Sequence, residues 1–143
     1  MFMCLRIGIV FLAVLILSMT GCRYVFPRPG NVEVVAFEME ESARFSDAEM
    51  DNAVYVATAY FEEHYEECVL DKIIYEEDFS NRQVKDSAGN VPPNRMMVEL
   101  RFTATEYNQA PYLAPGRPAM VYLFLARENA DGTWYVDHTA TGG

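Results

Sequence analysis

The chain has 143 residues, 51% of them hydrophobic, and a formal charge of -10 at pH 7. That length holds one domain with a modest core, and so acidic a surface argues against nucleic acid and anionic lipid headgroups as partners. Of the three cysteines, Cys4 and Cys22 fall near the N-terminus and only Cys68 lies in the body of the chain, so no structural disulfide is expected there.

Residues 1–21 read as a targeting segment. Arg6 is its only charge, and the apolar run IGIVFLAVLIL at 7–17 is too short to span a membrane but suits a signal h-region. The run ends in Leu17-Ser18-Met19-Thr20-Gly21-Cys22, which resembles the lipobox of bacterial lipoproteins. The resemblance implies that the Cys22 thiol receives a diacylglyceryl group and that the leader is cut before it. Met19 departs slightly from the usual Leu. Arg23 stands where an Asp would mark inner-membrane retention in Gram-negative lipoproteins. Each buried lipid CH₂ is worth about 0.8 kcal/mol, so two or more chains anchor firmly. The expected location is extracytoplasmic, held to the cell membrane by that lipid.

Residues 22–31 read as the lipidated cysteine and a short Pro/Gly tether, and 32–143 as a single domain. A first short strand is expected at 32–37. At 45–75 the sequence predicts an amphipathic helix running almost directly into a strand. Ser46 and Glu49 form a capping box, with Phe45 placed to staple onto Met50. Met50, Ala53, Val54, Ala57, Tyr60, Phe61, His64, Tyr65 and Cys68 share the apolar face. Val69, Leu70, Ile73, Ile74 and Tyr75 then favour a strand. Residues 79–94 are expected to be a loop or frayed hairpin. At 95–106, Met96, Val98, Leu100, Phe102 and Ala104 alternate with Met97, Glu99, Arg101, Thr103 and Thr105, the pattern of a half-buried strand. A Pro-rich loop at 107–118 precedes a strand at 119–128. A turn at 129–132, with Gly132 expected at positive φ, leads to a last strand at 133–139.

The fold class expected is therefore α+β: one long N-terminal helix packed on a curled antiparallel sheet of four to five strands. This looks like the cystatin-like and NTF2-like rolls. More narrowly, FSDAEM, then A-x-x-Y-F, then CVLDKIIYEE, with Gly132 and Trp134 closing a late strand pair, is similar to uncharacterised small lipoproteins of clostridia-type Gram-positive bacteria. That resemblance implies no activity. Cystatins inhibit papain-type proteases through Gln-x-Val-x-Gly, and Gln83-Val84-Lys85-Asp86 lacks the glycine.

Two sets of residues could carry chemistry. His64 and His138, the only histidines, could meet Tyr60 and Tyr75 in a pocket between helix and sheet, where NTF2-like enzymes keep acid–base groups. Tyr107, Tyr112 and Leu113 make the Pro-rich loop a binding edge. Asp137 is expected to point away from His138. The acidic clusters lack calcium-loop spacing and the histidines lack zinc spacing, so neither metal nor cofactor is expected. Cys68 has no cationic neighbour in sequence and reads as a packing thiol. The sum is a membrane-anchored, non-enzymatic module for a protein or cell-wall partner. The alternative is an NTF2-like enzyme or small-ligand receptor.

Overall fold

A computed structural model describes residues 28–142; the leader, the lipobox and Cys22 lie outside the described residues. The domain is α+β. Strand β1 (Ala36–Met39) is followed by helix α1 (Asp47–His64), β2 (Cys68–Tyr75), helix α2 (Glu77–Val84), β3 (Arg95–Ala104), β4 (Pro118–Ala126) and β5 (Tyr135–Thr141). The five strands form one sheet in the order β1-β2-β3-β4-β5. The sheet is mixed rather than antiparallel throughout: β1 runs parallel to β2, with α1 as the crossover, and the remaining pairs are antiparallel.

Helix α1 begins at the capping box read from the sequence. Ser46 Oγ accepts from the Glu49 amide at 3.4 Å, and Glu49 Oε2 accepts from the Ser46 amide at 2.7 Å. Its 18 residues span about 27 Å. Met50, Ala53, Ala57 and Phe61 form its buried stripe. They pack on Leu70, Val98, Leu100, Phe102, Val121, Leu123 and Leu125 from the facing side of the sheet. The helix stops at His64, and after three residues the chain enters β2, as expected from the sequence; Glu67, in a left-handed conformation (φ 54°), makes the turn. Cys68 is accordingly the first residue of β2, and buried, rather than the last of the helical face.

Of the loop expected at 79–94, residues 85–94 are loop, and helix α2 takes the first part, 79–84. Its first turn is held by tertiary partners instead of a capping side chain. Glu40 Oε2 accepts from the Glu77 amide at 2.7 Å, and the Glu77 carboxylate accepts from the Ala43 amide at 3.0 Å. α2 lies against the face of the sheet opposite α1, the Phe79 ring 5.8 Å from that of Tyr122. This explains why the second face of β3, expected to meet water, is buried at Met97 and Glu99. β2 ends at Tyr75, so the Met97 amide has no strand partner on that side, and it donates to Ser80 Oγ of α2 at 2.9 Å.

Three further expectations need correction. The first strand starts at Ala36, because Asn31 Oδ1 accepts from the Glu33 amide in a local turn that leaves Val34 exposed. The turn at 129–132 closes through Gly132 N to Asn129 O at 3.0 Å, but Gly132 is not at positive φ; Gly89 and Gly116 are. Arg28 to Asn31, read as the end of the tether, are hydrogen-bonded into the domain. The Gly30 amide donates to Glu62 O, and Asn31 exchanges backbone hydrogen bonds with Cys68 and Leu70.

Candidate functional site

The C-terminal end of α1, the α1–β2 junction, the loop at 105–117 and the adjoining ends of β3, β4 and β5 border a large concave surface. Its geometry follows from Glu67, which is buried although charged. The Glu67 amide donates to Arg28 O at 2.9 Å, while its Oε1 accepts from the Arg28 amide at 2.9 Å. Its carbonyl accepts from the Thr105 amide at 2.8 Å. One residue thus fixes the incoming chain, the helix–strand junction and the start of the loop. Asn108 ties the loop down again, its amide donating to Glu66 O at 2.7 Å. Gly116, at φ 71°, returns the chain through a hydrogen bond to Ala104 O.

Two contiguous depressions result, of about 810 and 690 Å³, which share His64, Tyr65, Tyr112 and Leu113. Tyr60 and His64, one helical turn apart, stack at 3.9 Å between ring centroids, and the His64 Nδ1 lies 2.9 Å from Tyr60 O. Tyr65 turns inward, parallel to Phe61 at 5.0 Å and edge-on to Phe102 at 4.9 Å. Burial, then the nearby Tyr60 and Tyr112 phenols and Cys68, push the Tyr65 hydroxyl up to about 12. Burial raises the Cys68 thiol to about 11 against the opposing hydrogen bond from Asn108, which disfavours the thiolate form. Tyr112 is 78% exposed and Tyr107 56%.

The groove therefore joins residues that the sequence assigned to separate sites. Tyr60 and His64 of the pocket set meet Tyr112 and Leu113 of the loop set in the larger depression, and Tyr107 lines the smaller one. Tyr75 and His138 are not part of it. Tyr75 is fully buried in the core, near Arg44 and Glu77. His64 itself is exposed rather than on the buried stripe. His138 sits on the opposite face of the sheet, stacked on Phe124 at 4.2 Å. The cause is a β-bulge: Leu125 pairs with Val136 and Phe124 with His138, leaving Asp137 unpaired and reversing the alternation after it.

That bulge brings Asp137 to His138 instead of away from it, with Oδ2 3.0 Å from His138 Nδ1 and 3.2 Å from Arg95 Nη1. The hydrogen bond with His138, and then the Arg95 charge, hold the Asp137 carboxyl below its usual range. The adjoining depression, about 120 Å³, is lined by Lys85, Arg95, Phe124 and His138 among others, and is smaller than a usual small-molecule site. Among the described residues, no group of three or more His, Cys, Asp or Glu side chains is placed to hold a metal ion, and no helix is long and apolar enough to cross a membrane.

Compared with known proteins, the chain matches no family model, no curated protein and no solved structure.

Proposed function

We propose that the chain is a lipid-anchored, extracytoplasmic binding module whose ligand occupies the groove at the C-terminal end of α1. One observation carries this reading: Tyr60 and His64 from the helix, and Tyr112 and Leu113 from the loop, converge on a single open groove. Exposed aromatics on a loop tied to a rigid scaffold are typical of recognition surfaces. The lipobox at residues 17–22 supports the anchor. Six residue steps separate Cys22 from Arg28, about 20 Å of extended chain at most. Lipidation at Cys22 would thus hold the Glu67 end of the groove near the bilayer.

Assignment to the cystatin-like or NTF2-like rolls belongs to the same proposal. One main helix across an antiparallel meander supports it, while the parallel β1 and the second helix are departures. A small-ligand receptor or NTF2-like enzyme is a second reading, favoured by the larger depression, whose volume of about 810 Å³ is within the range of small-molecule sites.

The test places a photo-crosslinking amino acid at Tyr112, in the groove, or at Tyr55, exposed elsewhere on α1, in the lipoprotein in its own membranes. A protein adduct from position 112 and none from 55 is expected, and Cys22→Ala should release it from the membrane fraction. Equal adducts from both positions would sink the groove, and an unchanged Cys22→Ala distribution would sink the anchor. Native mass spectrometry separates the second reading, which requires a bound small molecule.

A further inference from the structure

We infer that the occupant of the groove is a positively charged polypeptide segment, an arginine or lysine side chain of which lies between the exposed Tyr112 and the acidic end of α1. The inference rests on the groove being the binding site and names the chemistry it takes. The groove opens at the C-terminal end of α1, the negative pole of the helix dipole. Glu63 and Glu66 line it, both are exposed, and neither makes an ion pair among the described residues. Arg101, which borders the larger depression, is bonded to Glu99 at 2.5 Å, and among the described residues no Lys or Arg lines the smaller one. A Tyr ring attracts a cation through its negative face, and Arg and Lys are the side chains that use this.

The charge of the whole chain, -10, extends the same preference to long range. It draws in basic partners and repels polyanions. Shape favours a segment over a free amine: the two depressions are open and contiguous, sharing His64, Tyr65, Tyr112 and Leu113, so an occupant can run from one into the other. They suit several residues of extended chain, with the charged side chain at Glu63 and Glu66 and apolar neighbours against Leu113.

The experiment titrates the full-length lipoprotein, in nonionic detergent, into fluorescent arginine–glycine and glutamate–glycine hexapeptides and follows anisotropy. The arginine peptide should bind, the glutamate peptide should not, and binding should weaken as salt screens the charges. Tyr112→Ala should weaken it about fivefold, and Glu63→Gln with Glu66→Gln at least as much. The charge-matched control, Glu41→Gln with Glu128→Gln near the other end of α1, should stay within about twofold. Equal weakening by groove and control variants would assign binding to overall charge and overturn the inference. So would failure of the arginine peptide to bind, or an adduct at Tyr112 whose contacted segment is neutral or acidic. The last result leaves the groove itself standing, whereas absence of any adduct removes the site and the inference together.

Discussion

Arg28 and Glu67 are joined by a reciprocal pair of hydrogen bonds, each 2.9 Å long: the Glu67 amide to the Arg28 carbonyl, and the Arg28 amide to the Glu67 carboxylate. Glu67 holds this geometry in a backbone conformation that glycine adopts most readily. Glu67→Ala should therefore lower stability by about 1–3 kcal/mol. Glu67→Gln, which keeps an acceptor at Oε1, should cost less. Thermal unfolding measures the loss, and the Gly30 amide, bonded to Glu62 O, should exchange its hydrogen faster in the Ala variant. Unchanged melting and unchanged exchange in Glu67→Ala would show that the pair stabilises nothing.

The other end of α1 depends on an ion pair. The Arg127 side chain is only 4% exposed; its Nη1 lies 2.5 Å from Glu49 Oε1, and its guanidinium stacks over Trp134 at 4.4 Å. Glu49→Gln leaves that cation buried without its counter-charge and should cost about 2–3 kcal/mol, moderated by the partial exposure of Glu49. Trp134 is the only tryptophan, so its fluorescence reports directly on this cluster. The Ser46 amide, then Arg127 and the Ser46 hydroxyl, hold the Glu49 carboxyl below its ordinary 4.5. The unfolded chain thus binds that proton more readily. The stability Glu49 contributes is present above about pH 4.5 and is lost as pH falls through the lowered value. Glu49→Gln should flatten the acid limb of an unfolding curve followed by fluorescence.

Gly30 has no room for a side chain. A Cβ there would sit 2.7 Å from Phe61 O and 2.8 Å from the Phe61 ring. Gly30→Ala should destabilise by about 1–3 kcal/mol through displacement of the incoming chain. Calorimetry of the purified protein checks it, and a melting temperature equal to wild type would mean that the chain shifts freely at this point.

Alkali should weaken the fold through two buried groups. Cys68 rises from 9.0 to about 11 and Tyr65 from 10.0 to about 12, so the folded chain keeps protons that the unfolded chain releases. Stability is full below about pH 9 and falls from there towards pH 12. Urea unfolding between pH 7 and 11 should show the decline, and Cys68→Ala in a Cys22→Ala background should reduce its first part. If both proteins decline in parallel, Cys68 is not responsible.

How far the sequence reading reached depends on the range of the forces involved. The Ser46–Glu49 cap and the stripe Met50, Ala53, Ala57, Phe61 are set within a few residues and were legible. So was the alternation of β3, where each inward residue from Met96 to Ala104 is at most 2% exposed. What lay beyond reach was decided by partners distant in sequence. α2 has one aromatic, one valine and no capping side chain, and Glu40 and Ser42 to Ala43 complete its start from 34 to 37 positions away. Strict alternation along β5 would put His138 on the same face as Val136, and the unpaired Asp137 breaks that alternation. Half of the groove was legible as an aromatic loop and half as a helix face. Their meeting at Glu67 was not, because nothing local announces that a glutamate will adopt φ 54°.

The strands lie side by side in the order in which they occur along the chain. A polypeptide delivered from its N-terminus can therefore assemble this sheet in one direction, each strand finding its template already made and none having to wedge between earlier neighbours. The longest closure is the β1–α1–β2 crossover, which comes first; the connections after it, 76–94, 105–117 and 127–134, are progressively shorter. The assembly has a fixed starting edge at β1 and a growing edge that ends with β5.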